Sequence, residues 1–313
     1  MSPDSVKYTC YICVMMKKEV IKFSICVALF AGLISCKKAD TVDSTQTFYD
    51  QNDTDLANYV SQNKLTPTKT NSGLYYVVTT ANPTGKTPAV NEEVEFTYKA
   101  SLLKGVATGA VIDSANAKQS LYYLFGVGFL LQGLEEGLSK LHEGESATLL
   151  IPSYLAFGGT ARSNIPAYSN LRFDVKLIRS RTEDQQIEDY LAINKITVAE
   201  KTTSGLRFIK TKDNPAGAPL VAGQTAVIKY AGKLLRSTTN FDSGDALSVV
   251  LGQNQVVSGF EEGVRKLKVG EKATIIFPSA IGYGAKGITN SSNVYVITPY
   301  TPLAFDIEVV SVK

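Results

Sequence analysis

Side chains that could serve as nucleophiles, general bases or metal ligands are scarce in this 313-residue sequence, and their spacing builds no catalytic constellation. There is one histidine, His142, and four cysteines, Cys10, Cys13, Cys26 and Cys36, all near the N-terminus. Cys10 and Cys13 have the CxxC spacing of redox or zinc sites. No second pair or His cluster completes such a site, so they read as incidental. A G-x-S-x-G elbow is absent. Glu135-Glu136 and Glu261-Glu262 offer carboxylate pairs, but adjacent residues on a helix do not face each other, and both pairs read as solvated surface. His142 falls on an expected turn in one place only and carries no role. No metal and no cofactor is expected. What remains is a recurring set of aromatic and aliphatic residues.

That set occurs twice. Residues 125–137 read FGVGFLLQGLEEG and residues 251–263 read LGQNQVVSGFEEG. Each is followed by a Gly-Glu pair (Gly144-Glu145, Gly270-Glu271), a Pro (Pro152, Pro278), an aromatic-Gly pair (Phe157-Gly158, Tyr283-Gly284) and a Phe-Asp pair (Phe173-Asp174, Phe305-Asp306). Upstream, Ser72-Gly73-Leu74 answers Ser204-Gly205-Leu206, Asn82-Pro83 answers Asn214-Pro215, and Tyr98 answers Tyr230. The period exceeds that of solenoid repeats, so each copy is a complete domain with its own core. Copy one is longer between Tyr98 and Gly126, and copy two between Gly284 and Phe305, which marks both stretches as loops.

Composition agrees with two globular domains: 44% hydrophobic, 19% charged, with a formal net charge of +3 that gives nucleic-acid binding no support. The N-terminus is different. Lys17, Lys18 and Lys22 precede an apolar run from Phe23 to Ile34 and small Ser35, the pattern of a secretory signal over 1–35, with translation expected to start at Met15 or Met16. The run is short for a membrane span. Leu33-Ile34-Ser35-Cys36 resembles the bacterial lipobox, which implies acylation of Cys36 and a stable membrane anchor. Lys37-Lys38 then favours an outer-membrane destination in a bacterial envelope. Residues 37–53 read as a polar tether, with short amphipathic helices expected around 54–63 and 184–194.

A few regular elements carry this set. Within copy two, 226–230, 247–251, 273–277 and 303–309 read as strands, the last by its strict alternation, and 171–177 repeats it in copy one. One helix lies inside each copy, carrying the stripe Val256, Val257, Phe260, Val264 and Leu267, or Leu130, Leu131, Leu134, Leu138 and Leu141. The fold class is therefore α+β: in each domain an antiparallel sheet wrapped around one short helix. The expected organisation is signal (1–35), anchored linker with a short helix (36–71), domain one (72–181), and linker helix with domain two (182–313).

Lys229-Tyr-Ala-Gly232, Phe241-Asp242-Ser243, the phrase at 251–263, Val269-Gly-Glu271, Ile281-Gly-Tyr-Gly284 and Leu303-Ala-Phe-Asp306 together resemble the FKBP-type peptidyl-prolyl cis-trans isomerases. The resemblance spans about 110 residues in each copy. It implies proline-containing polypeptides as substrates. Rotation about a peptide bond must cross roughly 18–20 kcal/mol, and a dry pocket that favours the twisted amide lowers this barrier without nucleophile or metal.

By that resemblance the proline pocket of copy two is Tyr230, Phe241, Asp242, Val256, Val257, Phe260, Tyr283, Ile297 and Phe305. Phe260 would be the floor, where many relatives carry Trp. Val257 would offer its backbone N–H to a substrate carbonyl, Tyr283 its hydroxyl, and Asp242 would orient the rim. The second pocket is Tyr98, Ile112, Asp113, Leu130, Leu131, Leu134, Phe157, Ile165 and Phe173. There Phe241 becomes Ile112, Phe260 becomes Leu134 and Tyr283 becomes Phe157, with Phe129 as a possible filler. Copy one is thus expected to be the weaker catalyst or to serve binding alone. The resulting expectation is an envelope-anchored isomerase assisting exported proteins; the competing one is a non-enzymatic chaperone or peptide-binding lipoprotein.

Overall fold

The computed structural model describes residues 44–313. The expected signal segment, Cys36 and the first part of the tether lie outside the described residues. The described chain divides into two compact units, the first holding residues up to Val90 and Val94–Ser180, the second Asn91–Glu93 and Arg181–Lys313. Among the described residues no helix is long and apolar enough to cross a membrane.

The first unit holds helix α1 (Ser44–Gln62), strands β1 (Thr68–Lys69), β2 (Tyr75–Thr80), β3 (Glu93–Lys104), β4 (Ala107–Ala115) and β5 (Leu121–Leu124), helix α2 (Gln132–Leu138), and strands β6 (Ser146–Ile151) and β7 (Leu171–Arg181). Its sheet runs β1-β2-β6-β7-β3-β4, with β5 also on β3. The second unit holds α3 (Glu183–Ile193), β8 (Glu200–Lys201), β9 (Arg207–Lys212), β10 (Thr225–Leu234), β11 (Asn240–Val250), α4 (Ser258–Arg265), β12 (Lys272–Phe277), β13 (Ile288–Thr289), β14 (Tyr295–Ile297) and β15 (Leu303–Val312). Its main sheet repeats the topology as β11-β10-β15-β12-β9-β8, and β13-β14 form a separate ribbon. Both stretches read as loops from their length difference therefore contain strands. Extra residues in a hairpin find backbone partners by extending or adding a ladder, which is cheaper than leaving N–H and C=O groups to a long loop.

Each sheet is covered on both faces because strand side chains alternate. In β6, Leu149 and Ile151 point to the core around α2, whereas Leu150 points the other way, onto Leu56 and Tyr59 of α1. In β12, Ile275 and Phe277 face the core around α4, and Ile276 packs with Ile187 and Leu191 of α3. The outer helices are thus parts of the domains. Residues 44–53, expected as tether, belong to α1: its apolar stripe is narrow, and the polar Asn52 is itself buried. Asn52 Oδ1 accepts the N–H of Ser153 at 3.0 Å, at the start of a single 3-10 turn (Ser153–Leu155). In the second unit Glu183 of α3 does the same work, accepting Ser279 N–H at 2.5 Å and Ser279 Oγ at 2.7 Å. Arg207, 1% exposed, fastens α3 further through Asp184 and Glu188.

The inner helices lie unusually near their sheets. A Cβ on Gly133 would stand 2.4 Å from Ile151 Cγ2, and one on Gly137 2.3 Å from Leu149 Cδ1. On Gly259 and Gly263 it would stand 2.7 Å from Phe277 Cγ and 2.7 Å from Ile275 Cδ1. These glycines weaken short helices that tertiary packing must then hold. The Glu pairs of the repeated phrase are corrected here. Glu135 accepts the Gly126 N–H at 2.7 Å and Glu261, 7% exposed, the Gly252 N–H at 2.7 Å. Glu136 and Glu262 accept the hydroxyls of Ser72 and Ser204 at 2.6 and 2.7 Å. They are not free surface carboxylates; each ties its helix to a loop that enters the sheet.

The Gly-Glu pairs are structural as well. Glu145 accepts the N–H groups of Asn82 and His142 at 2.8 and 2.9 Å, and the His142 ring Nδ1 lies 3.2 Å from the same carboxylate, so His142 serves this turn. Glu271 is buried, accepts Lys268 N–H at 2.8 Å and pairs with Lys210 at 2.8 Å. Burial pushes the Glu271 carboxyl up, but Lys210 and the surrounding donors outweigh it and hold it at about 2, below its ordinary 4.5.

Two outcomes follow. Replacing Gly263 by Ala gains about 1 kcal/mol of helix propensity but overpacks Ile275, a penalty of about 1–3 kcal/mol. The urea midpoint of Gly263→Ala should fall below wild type, and a rise would show that the helix has room. Because the folded pKa of Glu271 is depressed, its contribution is full above pH 4.5 and fades as pH falls towards 2. The melting-temperature gap between wild type and Glu271→Gln, representing roughly 3 kcal/mol at neutral pH, should close over that interval; a gap independent of pH contradicts the ion-pair account.

Candidate functional site

In the second unit the helix start, three strands of the main sheet and the ribbon bring one set of side chains together. Tyr230 comes from β10, Phe241 and Asp242 from β11, Phe260 from α4, Ile297 from β14 and Phe305 from β15. Phe305 is the hub. Its ring meets Phe241 at 5.5 Å and 90°, Phe260 at 5.3 Å and 79°, and stacks on Phe277 at 5.7 Å and 7°. Tyr230 stands edge-on to Phe260 at 5.8 Å. Edge-to-face and offset contacts of this kind fix ring orientation as well as burying area. Phe260, Ile297 and Phe305 are buried, and Val256, Val257, Tyr230, Phe241 and Tyr283 pack half-buried against them. Asp242 is exposed and accepts the Tyr230 hydroxyl at 2.9 Å.

Two donors at this cup are unengaged. Val257 sits immediately before α4, where its carbonyl accepts from Phe260 and Glu261 while its own N–H donates to no group among the described residues. The Tyr283 hydroxyl likewise has no hydrogen bond among the described residues. Burial, with the nearby Asp242 charge, pushes its pKa above the ordinary value and keeps it a proton donor. An aromatic cup with two unpaired donors beside it can hold an apolar ring and orient carbonyl groups around it.

The first unit builds an open cleft of about 340 Å³ from equivalent elements. Of the nine residues expected there, Tyr98, Ile112, Asp113, Leu131, Phe157, Ile165 and Phe173 line it. Leu130 and Leu134 are buried in the core beneath. Phe129 packs on the core and is not among the lining residues. Tyr98 donates to Asp113 at 2.5 Å, as Tyr230 does to Asp242. Sequence reasoning did not find Ala100, Ser163 or Asn164 in the lining. Ala100 and Gly232 hold equivalent positions, paired with Asp113 and Asp242 across their hairpins. A Cβ on Gly232 would stand 2.5 Å from Phe305 and 2.8 Å from Phe241. With Ile112 in place of Phe241, domain one has room for the methyl. This coupled exchange was visible in the repeat alignment but needed the cross-strand register to be read.

A family model described as FKBP-type peptidyl-prolyl cis-trans isomerase matches residues 85–178 and 217–310. With two such matches over more than half its length, the chain belongs to that family. Human peptidyl-prolyl cis-trans isomerase FKBP9 is 28% identical over 223 residues, covering 69% of this chain and 34% of that protein. Peptidyl-prolyl cis-trans isomerase FPR2 of Saccharomyces cerevisiae is 38% identical over 95 residues, 29% of this chain and 67% of that one. The solved structure of the three FKBP domains of wheat FKBP73 aligns with a TM-score of 0.36 at 19% identity, covering 78% of this chain and 96% of that one. The chain spans about a third of the length of its first curated relatives.

Proposed function

We propose that this protein is a peptidyl-prolyl cis–trans isomerase acting on proline-containing polypeptides, with domain two carrying most of the catalysis. The observation behind this reading is the Phe305-centred cup with the unengaged Tyr283 hydroxyl and Val257 N–H beside it. The proline ring enters between Tyr230, Phe260 and Phe305. The cup strips water from the prolyl amide, which removes the hydrogen bonds that stabilise its charge-separated planar form. Val257 N–H and the Tyr283 hydroxyl hold carbonyls of the chain in the twisted geometry, so the protein binds the transition state better than either planar isomer. No covalent step is needed.

Domain one supports the second reading, peptide binding without useful turnover. Phe157 replaces the Tyr283 hydroxyl, and Ile112 and Leu134 remove two rings from the wall and floor. An open cleft of about 340 Å³ without those rings suits retention of a bulky segment more than clasping one ring.

The leader sequence supports a place for this activity: a lipid anchor at Cys36 in a bacterial envelope, with an outer-membrane destination and exported polypeptides as clients, whose folding is often limited by X–Pro isomerisation.

In a proline-peptide isomerisation assay on the full chain, Tyr283→Phe should lower kcat/KM about tenfold, the cost of one hydrogen bond made in the transition state. Adding Phe260→Ala should bring the rate near background. A double variant at the wild-type rate would move catalysis to domain one, and a wild type with no rate above background would leave only the binding reading. Intact-mass measurement of the membrane-extracted protein should show a diacylglyceryl-modified, acylated Cys36 as the mature N-terminus; an unmodified Cys36 removes the anchor.

A further inference from the structure

The chain beside the domain-one cleft carries a cation that the pocket residues alone do not explain. Arg162 is pinned at its backbone by a tight turn, donating to Ile165 O at 2.8 Å and accepting from Ile165 N–H at 3.0 Å. Its guanidinium carbon lies 5.8 Å from the centroid of the Phe157 ring, the ring that lines the cleft where domain two has Tyr283. Ser163, Asn164 and Ile165, the next three residues, also line the cleft. The guanidinium makes no ion pair among the described residues, and its Nε, shut away from solvent, has no acceptor there. The acid of the same cleft is already engaged: Asp113 accepts the Tyr98 hydroxyl on Oδ2 and the Ser114 N–H, at 2.8 Å, on Oδ1.

Resting on the reading of this cleft as a peptide site, we propose that Arg162 makes domain one selective for an apolar residue flanked by a carboxylate. The lost tyrosine hydroxyl offered one neutral donor; a guanidinium held against the Phe157 ring offers a planar fork of donors suited to a carboxylate. The ring contact favours the cation and restrains it. The equivalent stretch of domain two is the β13-β14 ribbon, which instead exposes Ile288, Val294, Tyr295 and Val296. The two copies would then divide clients by the residues around the anchored one: acidic in domain one, apolar in domain two.

The test is binding, by fluorescence anisotropy on the full chain at low salt, of acetylated and amidated peptides with Glu or Gln beside a central proline. A Gln peptide with a free C-terminal acid forms a third arm. Wild type should prefer the Glu peptide over the amidated Gln peptide about tenfold, the scale of a charge-assisted pair. In Arg162→Gln the two should bind alike, while Arg162→Lys should keep part of the preference. A comparable gain for the free-acid peptide, also lost in Arg162→Gln, would assign the carboxylate to a chain terminus instead. Equal binding by wild type, no binding of any peptide, or a preference that survives Arg162→Gln overturns the proposal. Domain two contributes equally to wild type and variant, so the difference reports domain one. Turnover is not read, so failure here is distinct from failure of the isomerase assay.

Discussion

Gly133 and Gly137, with their counterparts Gly259 and Gly263, let a short helix lie against its sheet at a distance that side chains would forbid. The rest of each domain is arranged around that approach. In α2 and α4 the four-residue spacing puts both glycines on the sheet-facing side, one turn apart. The residue after the first glycine, Leu134 or Phe260, is thereby set deep among the core side chains. A helix held farther off by alanines would lift that floor and open the core beneath it. The helix is too short and too rich in glycine to form on its own. The Glu pairs supply part of what propensity lacks, by binding a glycine N–H of the preceding turn and a serine hydroxyl at the edge of the sheet.

Given that scaffold, the two pockets are alternative solutions to filling one space. In domain two Phe241 and Phe305 meet edge-to-face, and only a glycine at position 232 leaves room for them. In domain one the wall position is Ile112, the hairpin partner becomes Ala100, and the space not refilled remains as a cleft of about 340 Å³. Large-for-small exchanges at neighbouring positions keep a core packed. Here the exchange is incomplete on one side, and an incompletely filled, partly polar concavity is what a ligand can use. The smaller side chains of domain one thus leave a cleft open even as they remove aromatic surface from it.

Much of this was legible in the sequence. The alternation of 303–309 and 171–177 and the helical stripes are periodic, and periodicity survives in a single sequence. That Tyr98, Ile112, Asp113, Phe157 and Phe173 stand where Tyr230, Phe241, Asp242, Tyr283 and Phe305 do in the second copy was legible because the order of motifs repeats. Other parts were not. The Glu pairs look like solvated surface because helix spacing shows only that neighbours do not face each other, whereas their partner is a backbone N–H brought in from nine residues away. Residues 44–53 look like tether because their composition is polar, yet one buried Asn and a narrow stripe of Leu56 and Tyr59 suffice for a helix that covers the outer face of a sheet. Arg162 carried no signal at all: a lone cation in a loop acquires meaning only from the ring and the cleft beside it.

The outer helices show why a repeat can keep a geometry while changing the residues that produce it. Ser153 and Ser279 open the 3-10 turns that lead to Phe157 and Tyr283, and each presents a backbone N–H that needs an acceptor. Asn52 meets that need in domain one from within α1, and Glu183 in domain two from the first turn of α3. A neutral amide and a carboxylate are chemically unlike, and they stand at different places in helices of different length. What the fold requires is one oxygen at hydrogen-bonding distance from that N–H, on an element already held to the sheet by its apolar side. The outer helix consequently reaches around the sheet to the turn before the pocket aromatic. It is fastened there by polar contacts and to the strands by Leu56 and Tyr59 or Ile187 and Leu191. The position of the ring that differs most between the two sites therefore rests on an element outside the pocket, whose residues could diverge freely so long as that one acceptor stayed in place.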